Sequence, residues 1–192
     1  MPLETDRNIN IQHMLEQLEV TNWNVITGPP SSGKTSVANN IAFYHLDYVV
    51  IPEAARIVID QAVSEGRNPR ADERSFLEEI FKIKVDVENR VPFSQKTFFD
   101  RGIPDVLAYW EMMGEGDKHR SKIFKAMTKR YRNVFLLDPL PVINDYARPE
   151  NNEFALELHQ RLYNVYDSLM YDIIHVPVMS VMDRAEFIIN KL

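Results

Sequence analysis

The chain has 192 residues, 45% of them hydrophobic, with 11 prolines and 6 glycines. That is long enough for one substantial core and too short for two ordinary domains. A formal net charge of -6 argues against a sequence-wide electrostatic grip on nucleic acid or anionic lipid. With no cysteine there is no disulfide and no thiolate zinc site. The opening MPLETDRNIN lacks the charged-then-apolar layout of a secretory signal, and no apolar run approaches the length of a membrane span. Neither nucleic acid nor a membrane is therefore an expected partner, and the cytoplasm is the expected compartment.

Taken in chain order, NINIQHMLEQLE, from residue 8, offers an Asn cap and Ile11, Met14, Leu15 and Leu18 at helical spacing. This reads as a helical extension over 1–20, preceding a single domain over 21–192. Trp23, Val25 and Ile26 form a strand, followed by a loop and a helix carrying Val37, Ile41 and Leu46. YVVIP, 48–52, is a second strand, continuously apolar as in a sheet covered on both faces. A helix from Glu53 to Glu65 ends near Gly66. Asp72 caps a longer helix with Phe76, Ile80, Ile83 and Val87 in one stripe. KTFFD is the third strand and IPDVLAYWEMM a helix stopped by Gly114 and Gly116. A basic helix spans about 118–130, and NVFLLD, 133–138, is the fourth strand. Prolines 139, 141 and 149 keep the next stretch irregular until a helix begins near Asn152. DIIHVPV is the fifth strand, and a helix capped by Ser180 follows. Alternating strands and helices with such connections predict an α/β fold in three layers, a five-stranded parallel sheet with helices on both faces.

Gly28 to Thr35, GPPSSGKT, matches G-x-x-x-x-G-K-[ST] without a mismatch, after a strand and before a helix. This is the phosphate-cradling P-loop. Backbone N–H groups, a helix N-terminus and a mobile cation are what a triphosphate needs. Pro29 and Pro30 cannot donate, so the cradle runs from Ser31 and Ser32 through Gly33 to Ser36. Lys34 reaches the β- and γ-phosphates, and Thr35 binds Mg2+ through its hydroxyl. Guanine specificity asks for N-K-x-D, and the one Asn-Lys pair is Asn190-Lys191; ATP is the expected nucleotide.

Two strands run directly into carboxylates, Glu53 after YVVIP and Asp100 after KTFF, and strand C-termini in such a sheet face the ligand crevice. They are candidates for accepting the proton of an attacking hydroxyl and for orienting the waters of Mg2+. Glu53 could instead simply start a helix, where an acid suits the dipole. Asp138, after VFLL, rivals Asp100 as the metal carboxylate, but a proline follows it and no arginine adjoins it. Arg56, one helical turn beyond Glu53, and Arg101, beside Asp100, are placed to bind an acceptor; Asp105 is counted with them. Arg148 stands in a proline-bounded loop that can close as a lid. The run from Lys118 to Arg132 reads as a solvated face, and Phe81, Tyr109 and Trp110 as core.

ITGPPSSGKTS, VVIPEAAR, FFDRGIPDVLAY, VFLLDPLP and VPVMSVMDRAEFII, in that order, resemble the AAA-type ATPase domain of the bacterial NadR kind, whose characterised relatives include nicotinamide riboside kinases. More distantly the chain resembles deoxynucleoside kinases, in which the second strand also ends in Pro-Glu followed by an arginine. That likeness implies Glu53 as the base for the acceptor hydroxyl and Arg101 as a ligand of acceptor or phosphate. The expected function is therefore an ATP- and Mg2+-dependent kinase acting on a small nucleoside- or nucleotide-like molecule. A nucleotide-dependent switch acting through a protein partner is the alternative, and a homodimer stays open. A ring-forming motor is disfavoured, since the chain has no room for a further helical domain.

Overall fold

Five strands, β1 (Trp23–Thr27), β2 (Val49–Ile51), β3 (Thr97–Asp100), β4 (Asn133–Leu137) and β5 (Ile173–Val176), form one parallel sheet in the order β2-β3-β1-β4-β5. The computed structural model describes residues 13–140 and 150–192, with the side chains of 150–152 left aside. Seven helices are described: α1 (Lys34–Tyr44), α2 (Ala54–Ser64), α3 (Glu73–Arg90), α4 (Ile103–Met112), α5 (Gly116–Ala126), α6 (Glu150–Ser168) and α7 (Val181–Ile189).

The period of two along each strand divides the core into two layers. Val25, Phe99, Val134 and Leu136 face one way, against α2 to α6. Ile26, Phe98, Phe135 and Leu137 face the other, against Val37 and Ile41 of α1 and Ala185 and Ile188 of α7. The sheet is thus covered on both faces, the three-layer architecture expected from the alternation of elements. Each full burial of such a side chain contributes roughly 1.5–3 kcal/mol.

Local departures from expectation have physical causes. The apolar β2 run is an edge strand with Val49 41% exposed, so it is not covered on both faces throughout. Leu46 lies beyond α1 and is 86% exposed. The basic helix stops at Ala126 because Arg130 is drawn to the segment entering β1, where its carbonyl accepts from the Thr21 amide at 2.9 Å. β5 ends at Val176 because Pro177 has no N–H to continue the ladder. Asp72 does cap α3, accepting from the Arg74 and Ser75 amides, and the Ser180 hydroxyl accepts from the Asp183 amide. Of the leading helix, residues 8–12 lie outside the described residues; 13–16 are helical and Leu15 is buried against the core.

α3 carries two charged residues on its buried face, Lys84 and Glu88, one turn apart. The Lys84 ammonium donates to the Arg101 carbonyl at 2.6 Å, fixing the chain where β3 ends. Glu88 accepts from the Tyr131 hydroxyl at 2.7 and 2.8 Å, and the same hydroxyl accepts from the Ile103 amide at 3.0 Å. Gly102, just before α4, sits so close to this cluster that a Cβ there would lie 2.7 Å from the Tyr166 hydroxyl and 2.9 Å from that of Tyr131. Burial pushes the Glu88 carboxyl up to about 7. Because this folded-state value lies above the unfolded one, the contribution of Glu88 to stability is full below about pH 4.5 and falls as pH rises through 7. Urea unfolding of wild type and Glu88→Gln between pH 5 and 8 checks this: the stability of wild type relative to the variant should decline across that interval, and a constant difference would contradict the assignment.

Candidate active site

At the C-terminal end of β1 the chain passes tightly beside β4. Gly28 has φ 144°, and a Cβ there would lie 2.8 Å from the Leu137 carbonyl oxygen, so only glycine fits. Ser31 at φ 62° and Gly33 at φ 86° then coil the loop into α1. Gly33 is the N-cap and no side chain caps this helix; the amides at its start are left to an outside acceptor, as an anion site requires. The back of the loop is held by Arg184 of α7. Its guanidinium donates to the Ser32 carbonyl at 2.6 Å and the Pro177 carbonyl at 2.9 Å.

Lys34 folds over the loop, donating to the Pro29 carbonyl at 2.6 Å and the Ser32 hydroxyl at 3.3 Å. Burial, with the Arg101 charge adding to it, pushes its ammonium down to about 7. The Thr35 hydroxyl donates to Asp100 Oδ2 at 2.7 Å. Asp100 is 2% exposed, and its Oδ1 accepts no hydrogen bond from any described residue. Burial raises this carboxyl above its ordinary range against the opposing pull of the Thr35 bond and the Arg101 charge. A buried carboxylate oxygen with no donor, next to a hydroxyl, suits a hydrated divalent cation. Asp138 turns elsewhere, to His159 and His175.

Arg101 follows β3 at φ 72°, an uncommon conformation for a side-chain-bearing residue. It is held there from both sides, its amide donating to the Ile26 carbonyl at 3.0 Å and its carbonyl accepting from Lys84. The guanidinium is buried. Nε donates to Glu53 at 2.7 Å, and Nη1 to the Gly28 carbonyl at 3.0 Å and to Asp105 at 3.3 Å. Glu53 immediately precedes α2; burial would raise its carboxyl, but the Arg101 charge and hydrogen bond outweigh burial and hold it below the usual range. Asp105, 1% exposed, accepts from the Thr27 hydroxyl at 2.7 Å, the Gly102 amide at 2.9 Å and the Tyr166 hydroxyl at 2.6 Å.

Two hollows meet at these residues. An open cleft along the P-loop is lined by Ser31, Gly33 to Ser36, Glu53, Arg56 and Arg101. A second recess, apolar along Phe76, Leu77, Ile80 and Val106, shares Glu53, Arg70, Arg101 and Tyr109 with the first. The structure therefore gathers Lys34, Thr35, Glu53 and Arg101 around one cleft, with Arg56 on its rim and Asp100 buried behind Thr35. Asp105 sits beneath, its carboxylate engaged by four donors. Arg148 lies outside the described residues. Trp110 and Phe81 are core, whereas Tyr109 borders both hollows under the Arg101 guanidinium, 5.5 Å from its ring centroid.

Lys84, Arg70, Tyr166 and Arg184 were not foreseen. Lys84 had a signal, a lysine on the apolar stripe of α3 one turn after Ile80. The others become visible only when distant segments meet. From the basic run, Arg120 pairs with Glu111, Lys122 with Glu78, and Lys129 lies 4.6 Å from the Trp23 ring centroid.

No curated protein sequence matches the chain. Among solved structures it is similar to a NadR protein in complex with NR, at TM-score 0.66 and 15% identity over 94% of this chain and 51% of that one. It is also similar to thymidylate kinase from Ehrlichia chaffeensis, at TM-score 0.65 and 14% identity over 88% and 96% of the two chains. A third likeness is to deoxyadenosine kinase from M. mycoides, at TM-score 0.61 and 12% identity over 88% and 97%. The chain spans about half the length of the NadR chain it matches. At these identities the likenesses establish the fold. The sequence of residues 23–184 matches the model of the AAA domain family AAA_28, a span that takes in the P-loop, Glu53, the Asp100-Arg101 pair and Arg184, and the chain belongs to that family.

Proposed function

We propose that the protein is an ATP- and Mg2+-dependent kinase that phosphorylates a hydroxyl of a small nucleoside- or nucleotide-like molecule. The observation that carries this reading is the place of Glu53, an ionised carboxylate on the wall shared by the P-loop cleft and the apolar recess. A phosphate donor in the first and a flat apolar acceptor in the second bring their reacting ends to that wall. The kinase likenesses supply the precedent for the reaction class.

In this reading the amides at the start of α1 and the Lys34 ammonium hold the phosphates. Thr35 and Asp100 would hold Mg2+, which when bound neutralises charge on the phosphate oxygens. Glu53 accepts the proton of the acceptor hydroxyl as its oxygen bonds to the γ-phosphorus, while the bond to the β–γ bridging oxygen breaks and ADP leaves. Arg101 keeps Glu53 ionised and aimed. Phe76, Leu77 and Ile80 exclude water from the acceptor side, and Arg70 and Glu73 offer polar contacts at that recess.

ADP formation across a panel of nucleosides, nucleotides and pyridine ribosides tests the proposal. One acceptor class should stimulate turnover. Lys34→Ala should abolish the stimulation, and Glu53→Gln should lower kcat by about 10²- to 10⁴-fold with little change in the KM for ATP. Full transfer by Glu53→Gln would remove it from the role of base. Tight nucleotide binding with no stimulating acceptor would instead favour a nucleotide-dependent switch.

The Lys34 value of about 7 makes a separate prediction. A bound polyphosphate favours the charged ammonium, so binding above pH 7 takes up a proton and affinity falls as pH rises from 7 to 9. Calorimetry at pH 8 in buffers of different ionisation enthalpy should show uptake approaching one proton. Lys34→Arg, charged throughout, should show none; unchanged uptake in that variant would contradict the assignment.

A further inference from the structure

β4 and β5 are neighbours in the sheet, and α6 packs over their outer end. Three side chains that the kinase chemistry does not use meet there: Asp138, immediately after β4, His175 within β5, and His159 on α6. His159 Nε2 and His175 Nδ1 each lie 3.6 Å from the same oxygen, Asp138 Oδ1. One ligand atom from each residue falls within 4.8 Å of the others.

These separations are too long for hydrogen bonds. They are close to what a shared metal imposes, since ligand atoms at about 2.0–2.1 Å from a tetrahedral centre lie roughly 3.4 Å apart. His159 Nε2 is buried and has no hydrogen-bond partner among the described residues, although a carboxylate stands opposite. The two imidazoles are also set in place by aromatic packing. The ring of Tyr163, one turn after His159 on α6, stacks on His175 with centroids 5.7 Å apart, and the two histidine rings are 6.2 Å apart.

We infer that Asp138, His159 and His175 form a binding site for a transition-metal dication of the zinc type. Two imidazoles and one carboxylate suit zinc, nickel or cobalt, whereas magnesium and calcium ask for six or more oxygens. Three protein ligands leave a coordination position for water. The ion would tie α6 to the sheet at the strand ends. It would do so beside Arg184, whose guanidinium lies 3.5 Å from the Asp138 carbonyl oxygen and also holds the P-loop at Ser32.

The test is titration of the chelator-stripped full chain with Zn2+ against a chromophoric competitor, with excess Mg2+ present. One equivalent should bind with a Kd below about 1 μM. His159→Gln and His175→Gln should each weaken it at least 100-fold, Asp138→Asn about 10-fold, and Thr35→Ala should leave it unchanged. In the wild-type protein, where misfolding of a variant is no concern, imidazole NMR signals of His159 and His175 should shift with the first equivalent while those of His13, His45 and His119 stay. Absence of stoichiometric binding, full affinity in the histidine variants, or shifts confined to the other three histidines would each overturn the inference.

Discussion

The site depends on one buried guanidinium. Arg101 connects the end of β2 through Glu53, the start of the P-loop through the Gly28 carbonyl, and α4 through Asp105. Its own carbonyl is fastened by Lys84 of α3. Four elements thus converge on a single residue held at positive φ. Leaving one member of such a buried charge pair alone typically costs roughly 3–5 kcal/mol. The network therefore acts as one unit, and the position of the carboxylate proposed as the base is inseparable from the packing beneath it.

Around this centre the sheet order does the placing. β1 lies between β3 and β4, so the phosphate loop emerges with Asp100 on one side and Asp138 on the other. Thr35 is bonded to the first. Asp138, whose amide is held by the Val176 carbonyl at 3.0 Å, faces the histidines of β5 and α6. Two carboxylates at the ends of the strands that flank β1 serve different neighbourhoods because β3 and β4 have different outer neighbours, β2 and β5.

Much of this was legible in the sequence. The alternation of short apolar runs with amphipathic stretches specified a parallel sheet covered on both faces, and the glycine-bounded loop announced its own chemistry because nearly every position in it answers to a backbone or phosphate constraint. Glu53, Asp100 and Arg101 could be nominated because strand ends face the crevice. Periodicity carries no sign of strand order, however, and the edge position of β2 escaped it. Nor could local pattern reveal that Asp105 is engaged by Thr27 and Tyr166, 78 and 61 residues away. Likewise the VFLLD run looked like a metal carboxylate near the phosphates, and only the pairing of β4 with β5 brought it to the histidines.

Arg184 connects the P-loop with a helix made much later. The P-loop is complete as sequence by Ser36, yet the Ser32 carbonyl is fastened by a side chain from α7, 152 residues later. A nascent chain on the ribosome thus carries the loop long before it carries the residue that braces it. The brace on the Ser32 carbonyl can therefore form only after α7 has left the exit tunnel.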